Sequence, residues 1–350
     1  MTTILSNRVQ KVKPSATMAV SDKAKELKSQ GVQIISMGSG EPDFDTPANI
    51  QKAAIHAIGA GQTRYTAADG TPELKKAIRE KFKRENGLDY TANEVMVSCG
   101  GKQVFYNLCQ AILNEGDEVI IPTPYWVSYP DMAILADATP VFIEAGLDQD
   151  FKITPQQLEA SITSKSKLLV LNSPSNPTGS VYSKSEIEAL GEVLKKHPHV
   201  LIISDDIYEH IRWGNDEFIN IAMACPELKD RIIILNGVSK AYAMTGWRIG
   251  YAAGPELVIK AMKKIQGQST SNPSSISQAA ALEAINGDQS FITMMVEAFE
   301  RRHNFLVESL NAIDGIECPR SGGAFYSFPK VQGLIERIGL QDDVEFSTYC

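Results

Sequence analysis

The sequence predicts an α/β protein whose larger part is a mostly parallel sheet flanked by helices. Continuous apolar runs of strand length occur at 167–172, 200–203 and 232–235. Amphipathic helical patterns alternate with such runs from about residue 50 to residue 285, which is typical of α/β folds. Ligands of such sheets bind at the carboxyl ends of the strands. The residues that follow each run are therefore the first candidates for function.

Composition limits the class of protein. The chain has 350 residues, of which 43% are hydrophobic and 22% charged, enough for a large core and for two domains. A net charge of -8 argues against nucleic acid or an anionic membrane as the main partner. Residues 1–13 lack an apolar leader, and no run approaches the roughly 20 apolar residues of a membrane span. We expect a cytoplasmic protein.

Cysteine and histidine give no metal or disulfide pattern. The five cysteines are odd in number and show no Cys-x-x-Cys spacing, so neither a disulfide framework nor a zinc site is predicted. The five histidines have no ligand spacing either. We expect reduced thiols and no metal.

The first predicted unit is a strand at 94–98 followed by a glycine turn and a helix. The turn contains Gly100, Gly101 and Lys102, and the helical pattern extends to about Gly116. Glycines at a helix N-terminus leave backbone N–H groups free to hold a phosphate. The P-loop spacing Gly-x-x-x-x-Gly-Lys-Ser/Thr is absent, so a nucleotide site is poorly supported.

Polar side chains follow three predicted strands. The first strand ends in a stiff loop, Ser-Pro-Ser-Asn-Pro-Thr-Gly, that presents Asn176. The second is followed by Asp205 and Tyr208, and the third by Lys240 with Arg248 eight residues further on. Each feature alone has an ordinary explanation, such as a surface lysine or a capping pair of aspartates.

Together these side chains meet the chemical needs of pyridoxal phosphate. A lysine can form a Schiff base with an aldehyde while an arginine holds a phosphate. The cofactor also needs a carboxylate beside its ring nitrogen and a donor to its phenolate oxygen, which Asp205 and Tyr208 can supply.

In their order and separation, these strand ends resemble the fold-type I aminotransferases, which depend on pyridoxal phosphate. The likeness extends from about Val9 to the end of the chain. It is strongest to the bacterial aspartate aminotransferases, some of which also accept prephenate, and the segments 39–47 and 124–130 look like theirs.

The resemblance implies roles around the cofactor ring. Lys240 is the expected Schiff-base lysine and the base that moves the substrate's α-proton. Asp205 is expected to pair with the ring nitrogen. Tyr208 and Asn176 hydrogen-bond the ring oxygen, and Trp126 stacks on the ring face. Trp126 and Asn176 are also expected to contact the substrate.

The resemblance implies a phosphate cup and a partner subunit as well. Gly101, Ser239 and Arg248 are expected to hold the phosphate, and Lys102 is a further candidate. Tyr65 is expected to enter the cup from a second subunit, which makes a homodimer necessary.

Substrate binding is expected to involve Gly40, whose missing side chain lets the backbone approach the α-carboxylate. Lys13 and Lys102 lie where the aspartate and prephenate subgroup carries basic residues for a distal carboxylate. Either lysine has the alternative of a solvated surface position.

The expected domains are an N-terminal arm with part of a small domain at 1–45, a large cofactor-binding domain at 46–288, and the rest of the small domain at 289–350. Residues 321–326 resemble a strand of that small domain, and the cleft is expected between the domains. The polar stretch 267–275 is expected to be a connector rather than an active-site loop.

Two departures from the family stand out. Gly237 replaces a serine that many members carry three residues before the lysine. Family members also continue past this point to an arginine that clamps the α-carboxylate, whereas this sequence ends at Cys350 in what is predicted to be an amphipathic helix. We therefore expect a C-terminally truncated small domain.

The predicted function is ping-pong transamination between aspartate or glutamate and a keto acid such as 2-oxoglutarate, oxaloacetate or prephenate. Two alternatives remain at this stage. One is a lyase that uses the same cofactor on a β-substituted amino acid. The other is a catalytically silent binding or regulatory protein of the same fold.

Overall fold

A computed structural model describes residues 4–12, 16–35, 37–38, 40–214 and 217–349. Its centre is one seven-stranded sheet with the strand order β1-β7-β6-β5-β4-β2-β3. The adjacent strands β3, β2, β4, β5 and β6 are parallel to one another. β7 runs antiparallel to both of its neighbours, β6 and β1. The predicted α/β class with a mostly parallel sheet is confirmed. The strands are β1 (Val95–Ser98), β2 (Glu118–Thr123), β3 (Thr139–Glu144), β4 (Ser166–Asn172), β5 (Leu201–Asp205), β6 (Ile232–Gly237) and β7 (Gly250–Ala253).

Helices pack on both faces of the sheet, and loops and turns connect these elements. They are α1 (Asn7–Lys11), α2 (Ala16–Ser29), α3 (Ala48–Gly59), α4 (Pro72–Asn86), α5 (Gly101–Ile112), α6 (Ser128–Leu135), α7 (Pro155–Ser161), α8 (Lys184–Lys196), α9 (Ile221–Ala224), α10 (Glu256–Gly267), α11 (Ser275–Asn286), α12 (Ser290–Asn311), α13 (Gln332–Ile338) and α14 (Asp343–Tyr349). Among the described residues, no helix is long and apolar enough to cross a membrane.

Local sequence signals set the ends of helix α4. Thr71 caps its N-terminus by accepting a hydrogen bond from the backbone N–H of Leu74, and Pro72 occupies the first turn. Gly87 ends the helix in the left-handed conformation at φ 66°. One face of the helix carries apolar side chains into the core, and Lys81 lies buried on that face too.

The core lies on both faces of the sheet because neighbouring strand residues point to opposite sides. In β5, Ile202 belongs to the cluster on one face and Ile203 to the cluster on the other. Ile232 and Ile233 of β6 divide in the same way. All four are fully buried, and each such side chain stabilises the fold by about 1.5–3 kcal/mol.

Strand register aligns the carboxyl ends of the three central strands. Asn172 of β4 pairs with Asp205 of β5, and Asp205 pairs with Leu235 of β6. The loops that leave these strands therefore begin at one level on one edge of the sheet.

A third apolar cluster joins the C-terminal segment to this edge. It includes Tyr208 from the loop after β5, Met295 and Phe299 of α12, and Ala324. The strand expected at 321–326 is not formed, because this segment makes only a single bridge, between Gly323 and Arg212. The C-terminal helix was predicted correctly, as α14. The helix after Gly101 ends at Ile112, earlier than expected.

Candidate active site

A cavity of about 300 Å³ lies at the carboxyl ends of β4, β5 and β6. It brings together the predicted site residues except Tyr65 and Lys13. Tyr65 is 91% exposed and does not line this cavity, while Lys13 lies outside the described residues. The lining residues are Gly40, Glu41, Gly101, Lys102, Trp126, Tyr129, Asn172, Asn176, Asp205, Ile207, Tyr208, Leu235, Ser239, Lys240, Thr245 and Arg248.

Lys240 lies in the turn after β6 and reaches into the centre of the cavity. Its Nζ donates a hydrogen bond to the carbonyl oxygen of Gly40. The rings of Tyr208 and Phe325 lie 5.9 and 5.6 Å from Nζ, measured to their centroids. Burial lowers the pKa of Lys240 to about 8, although Glu41 acts in the opposite direction. The amine therefore loses its proton at a lower pH than an ordinary lysine does.

Asp205 is a buried carboxylate at the end of β5, with 4% of its surface exposed. Tyr129 donates a hydrogen bond to Oδ2 at 2.6 Å, and the backbone N–H of Ile207 donates to Oδ1 at 3.2 Å. Burial raises the pKa of Asp205 to about 6, and the hydrogen bond from Tyr129 limits that rise. Within the described part of the chain, this carboxylate forms no ion pair.

Tyr129 is a site residue that the sequence analysis missed. It lies in the first turn of α6, three residues after Trp126, and the ring centroids of the two side chains are 5.2 Å apart. That short spacing within one aromatic segment was the available signal. It places Tyr129 one helical turn from a residue already expected to face the cofactor.

Tyr326 is a second residue that was missed. Its hydroxyl lies 2.5 Å from the hydroxyl of Tyr208, and burial raises the pKa of Tyr326 to about 12. A β-carbon at Gly40 would lie 2.5 Å from the same hydroxyl. Gly40 is therefore needed for close approach of two segments that are distant in sequence.

The other end of the cavity has the features of an anion site. Gly100 has a φ of 88°, and a β-carbon there would collide with the guanidinium of Arg248. Arg248 donates hydrogen bonds to the carbonyl oxygens of Thr245 at 2.8 Å and Cys99 at 3.4 Å. Gly101 begins helix α5 at the same place. A helix N-terminus and an arginine thus face one small space, which suits a phosphate.

Lys102 and Trp126 form the wall beside this anion site. Nζ of Lys102 lies 5.2 Å from the Trp126 ring centroid, close enough for a cation–π contact. Burial lowers the pKa of Lys102, and the charge of Arg248 lowers it further. Ser239, only 6% exposed, lines the cavity next to Lys240.

The structure gives a physical reason for Gly237. A β-carbon at this position would lie 3.0 Å from both the Cα of Gly250 and the carbonyl oxygen of Ile249. Such contacts are tighter than backbone atoms normally allow, so a serine would require β6 and β7 to move apart. The missing hydroxyl is explained by close strand packing.

Comparison with known proteins identifies the family. Residues 32–349 match the family model described as aminotransferase class I and II. The chain belongs to this family. It is an aminotransferase, and the predicted resemblance is confirmed.

Curated relatives within the aminotransferase family are similar over almost the whole chain. An aspartate/prephenate aminotransferase of Nitrosomonas europaea is 56% identical over 99% of this chain and 88% of the relative. One of Cereibacter sphaeroides is 55% identical over 98% of this chain and 87% of the relative.

Solved structures of aspartate aminotransferases have the same fold as this chain. An aspartate aminotransferase from Rhizobium meliloti superposes with a TM-score of 0.92 at 50% identity, covering 95% of this chain and 83% of the other. The Thermus thermophilus aspartate aminotransferase with maleate gives a TM-score of 0.89 at 46% identity, covering 93% and 84%.

Proposed function

We propose that this aminotransferase uses pyridoxal phosphate to move the amino group of aspartate or glutamate to a keto acid, by ping-pong kinetics. The acceptors we propose are 2-oxoglutarate, oxaloacetate and prephenate. The carrying observation is the position of the Lys240 amine, which lies between a buried carboxylate and an anion site in one cavity.

The donor set fits the cofactor at three points. The Asp205 carboxylate is buried without an ion pair among the described residues, which suits a protonated ring nitrogen. Gly100 leaves room for Arg248 at the start of α5, which suits a phosphate. Lys240 supplies an amine of lowered pKa for the aldehyde.

The bound cofactor supplies an electron sink that stabilises negative charge on the substrate's α-carbon. Lys240 holds and moves the proton at that carbon, a task suited to an amine whose pKa is about 8. Tyr208 and Asn176 line the cavity and would hold the ring by hydrogen bonds to its oxygen, and Trp126 would pack against the ring. The Phe325 ring, with its centroid 5.6 Å from Nζ of Lys240, forms part of the apolar surroundings of the amine.

The choice of a dicarboxylic substrate follows from the charges around the cavity. Lys102 is a cation beside Trp126, and Gly40 offers backbone to the α-carboxylate. The names of the relatives support aspartate and prephenate as substrates, and the Thermus thermophilus structure carries maleate, also a dicarboxylate. Lys13 remains a proposed second cation for the distal carboxylate.

A homodimer is part of the proposal. Tyr65 is almost fully exposed on a loop before α4, where it is free to enter the phosphate site of a second copy. We propose the domain division 1–45, 46–288 and 289–350, with the cavity between Gly40 on one side and the strand ends on the other.

The first test is the absorbance spectrum of protein mixed with pyridoxal phosphate, before and after L-aspartate is added without a keto acid. We expect conversion to the pyridoxamine form and one equivalent of oxaloacetate. Release of pyruvate and ammonia from a β-substituted amino acid, with no such conversion, would favour the lyase. An unchanged spectrum with every amino acid would favour a silent binding protein.

Lys240→Ala gives the matching residue-level test. In the parent protein, borohydride should reduce the Schiff base to a stable cofactor adduct that peptide mass spectrometry maps to Lys240. The variant should lose this adduct. Lys260→Ala is the control, because Lys260 is an exposed lysine paired with Glu256 on helix α10. If Lys240→Ala still carried a reducible attachment, the assignment would be wrong.

Subunit mixing tests the role of Tyr65. Tyr65→Ala and Lys240→Ala homodimers should each be inactive or nearly so. Equal mixing should restore about a quarter of the parental activity, because about half of the dimers are hybrids and each hybrid has one intact site. No recovery on mixing, with hybrids shown to form, would place Tyr65 outside the partner's site.

A further inference from the structure

Behind the cavity lies a buried polar cluster that the roles above do not use. It consists of Lys81 and Asn86 of α4, Glu209 in the loop after β5, and Asn236 of β6. These residues are 1%, 6%, 5% and 1% exposed, in that order. Charged and amide groups this deeply buried destabilise a fold unless their hydrogen bonds are satisfied.

Glu209 is the centre of the cluster. Its Oε1 accepts hydrogen bonds from Nζ of Lys81 and, at 2.7 Å, from Nδ2 of Asn236. Its Oε2 accepts from Nδ2 of Asn86 at 3.2 Å, and Lys81 also donates to Oδ1 of Asn86 at 2.9 Å. One carboxylate therefore joins a helix, a loop and a strand.

Glu85 and His210 lie beside this cluster and, with Glu209, offer the donor atoms of a metal site, but the ammonium group of Lys81 lies next to both carboxylates. One ligand atom each from Glu85, Glu209 and His210 lie within 4.8 Å of one another. Nζ of Lys81 is 3.5 Å from Glu85 Oε2 and bonded to Glu209. Burial opposes ionisation of Glu209, yet Lys81 and His210 hold its pKa below the usual value. The charge of Glu209 is therefore compensated within the chain, chiefly by Lys81.

The cluster is connected to both catalytic loops. Glu209 directly follows Tyr208, and its N–H bonds the carbonyl of Asp206 at 2.9 Å. Asn236 precedes Lys240 by four residues, and its Oδ1 accepts a hydrogen bond from the N–H of Gly237 at 2.6 Å. The hydrogen bond between Glu209 and Asn236 thus links the loop that carries Tyr208 to the strand that leads to Lys240.

We propose that Glu209, through its bonds to Asn236 and Lys81, is a positioning residue that fixes the depth of Lys240 in the cavity relative to Tyr208 and Asp205. This inference rests on the proposed role of Lys240. Breaking the bond lets the β6 turn move outward, so that the Lys240 amine is better hydrated. A better hydrated amine holds its proton to higher pH.

The test measures the titration of Lys240 in cofactor-free protein. Trace acetylation with acetic anhydride across pH 6–11, read by peptide mass spectrometry, gives the fraction of neutral amine at Lys240. The parent midpoint should lie at about 8. Asn236→Ala removes the bond to Glu209, and Glu209→Gln turns an amide donor toward Nδ2 of Asn86 while Lys81 still occupies Oδ1 of Asn86. Each variant should therefore raise the Lys240 midpoint by about one unit or more, toward the ordinary lysine value.

A double variant separates positioning from loss of charge balance. Glu209→Gln removes the nearest counter-charge of Lys81, which then keeps Glu85 at 3.5 Å, and Lys81→Met removes the nearest counter-charge of Glu209. In the combination, the glutamine amide can donate to Oδ1 of Asn86 and accept from Asn236. The double variant should therefore fold well and return the midpoint to within about half a unit of the parent value.

Leu158→Ala is the control for general destabilisation. Leu158 is fully buried in α7, beside β3 rather than the catalytic loops. It should lower the unfolding temperature without moving the Lys240 midpoint. The positioning role is refuted if Glu209→Gln and Asn236→Ala lower the unfolding temperature but leave the midpoint at the Leu158→Ala value, or if the double variant keeps the shifted midpoint.

The second measurement is the pH titration of the absorbance spectrum of the protein mixed with pyridoxal phosphate. Glu209→Gln and Asn236→Ala should move the midpoint of this titration to higher pH, as they do for the acetylation midpoint. Parent protein that binds no pyridoxal phosphate would overturn the proposed function. The acetylation midpoints would still decide whether Glu209 positions Lys240, so the two failures are distinguishable.

Discussion

Replacement of Tyr129 by phenylalanine tests how the protein keeps Asp205 ionised. The tyrosine hydroxyl donates a 2.6 Å hydrogen bond to Oδ2 of a carboxylate that is only 4% exposed. Phenylalanine keeps the ring and its packing against Trp126 and Phe105 but removes the donor. Without that donor, burial raises the pKa of Asp205 further, because the hydrogen bond no longer stabilises the ionised form.

The size of the effect follows from the geometry. A buried hydrogen bond to a charged group stabilises it by about 1.5–3 kcal/mol. One pKa unit corresponds to about 1.4 kcal/mol, so the loss should raise the pKa of Asp205 by about one to two units. From a parent value of about 6, the variant should reach about 7 to 8.

The direction in which cofactor affinity changes with pH follows from the protonation state of Asp205 that binds the cofactor. Pairing with a protonated ring nitrogen needs ionised Asp205, so affinity for pyridoxal phosphate should fall as the pH drops through the Asp205 pKa. In the Tyr129→Phe variant, this fall should occur about one to two units higher. Above that range, the parent and the variant should bind almost equally, because Asp205 is then ionised in both.

The assay is equilibrium binding of pyridoxal phosphate between pH 5 and 9, followed by absorbance. Tyr182→Phe is the matched control, because its buried hydroxyl accepts a 2.8 Å hydrogen bond from the N–H of Ile153 and does not line the catalytic cavity. Equal midpoints for Tyr129→Phe and Tyr182→Phe would refute the reasoning.

Three further variants test the cavity walls. Lys102→Met should raise the KM for L-aspartate about 10- to 100-fold, with a smaller change for an aromatic amino donor, because one charge-assisted hydrogen bond is lost; equal changes for both donors would contradict the role. Tyr326→Phe removes the 2.5 Å contact with Tyr208 and should lower kcat several-fold while cofactor attachment persists, as steady-state kinetics and spectra would report. Gly40→Ala places a β-carbon 2.5 Å from the Tyr326 hydroxyl and should lower kcat/KM for L-aspartate at least about ten-fold, whereas Gly59→Ala, with open space around it, should keep activity and gain up to about 1 kcal/mol of helix stability.

The strand-end residues could be predicted from sequence because their positions depend on short-range patterns. Asn176, Asp205 and Lys240 each follow an apolar run, and parallel strands bring their carboxyl ends to one edge. The glycine turn at 100–101 could be predicted for the same reason, since helix α5 begins there. These residues meet in one cavity, as the resemblance implied.

The residues that were missed depend on tertiary packing. Tyr129 reaches Asp205 from the first turn of α6, and its three-residue spacing from Trp126 was the single hint of that contact in the sequence. Tyr326 reaches Tyr208 from a segment that has strand-like composition but pairs at a single bridge. The partners of Glu209 are 123 and 128 residues away in α4, so pattern analysis of any one segment could not find them.

The opposite pKa shifts of Asp205 and Lys240 both result from burial, and the same ligand can offset both. Burial penalises charge on both groups, so it raises the pKa of the carboxylate to about 6 and lowers that of the amine to about 8. A ligand that brings a cationic ring nitrogen to Asp205 and consumes the Lys240 amine removes both penalties at once. Without such a ligand the charged forms of both groups are disfavoured, and that difference would contribute to the affinity for the proposed pyridoxal phosphate. The Glu209 cluster differs from them, because the charge of Glu209 is compensated within the chain by Lys81. A hydrogen-bonded cluster that holds Asp205 and Lys240 in place before the ligand arrives lowers the ordering cost of binding, which is how preorganisation raises affinity.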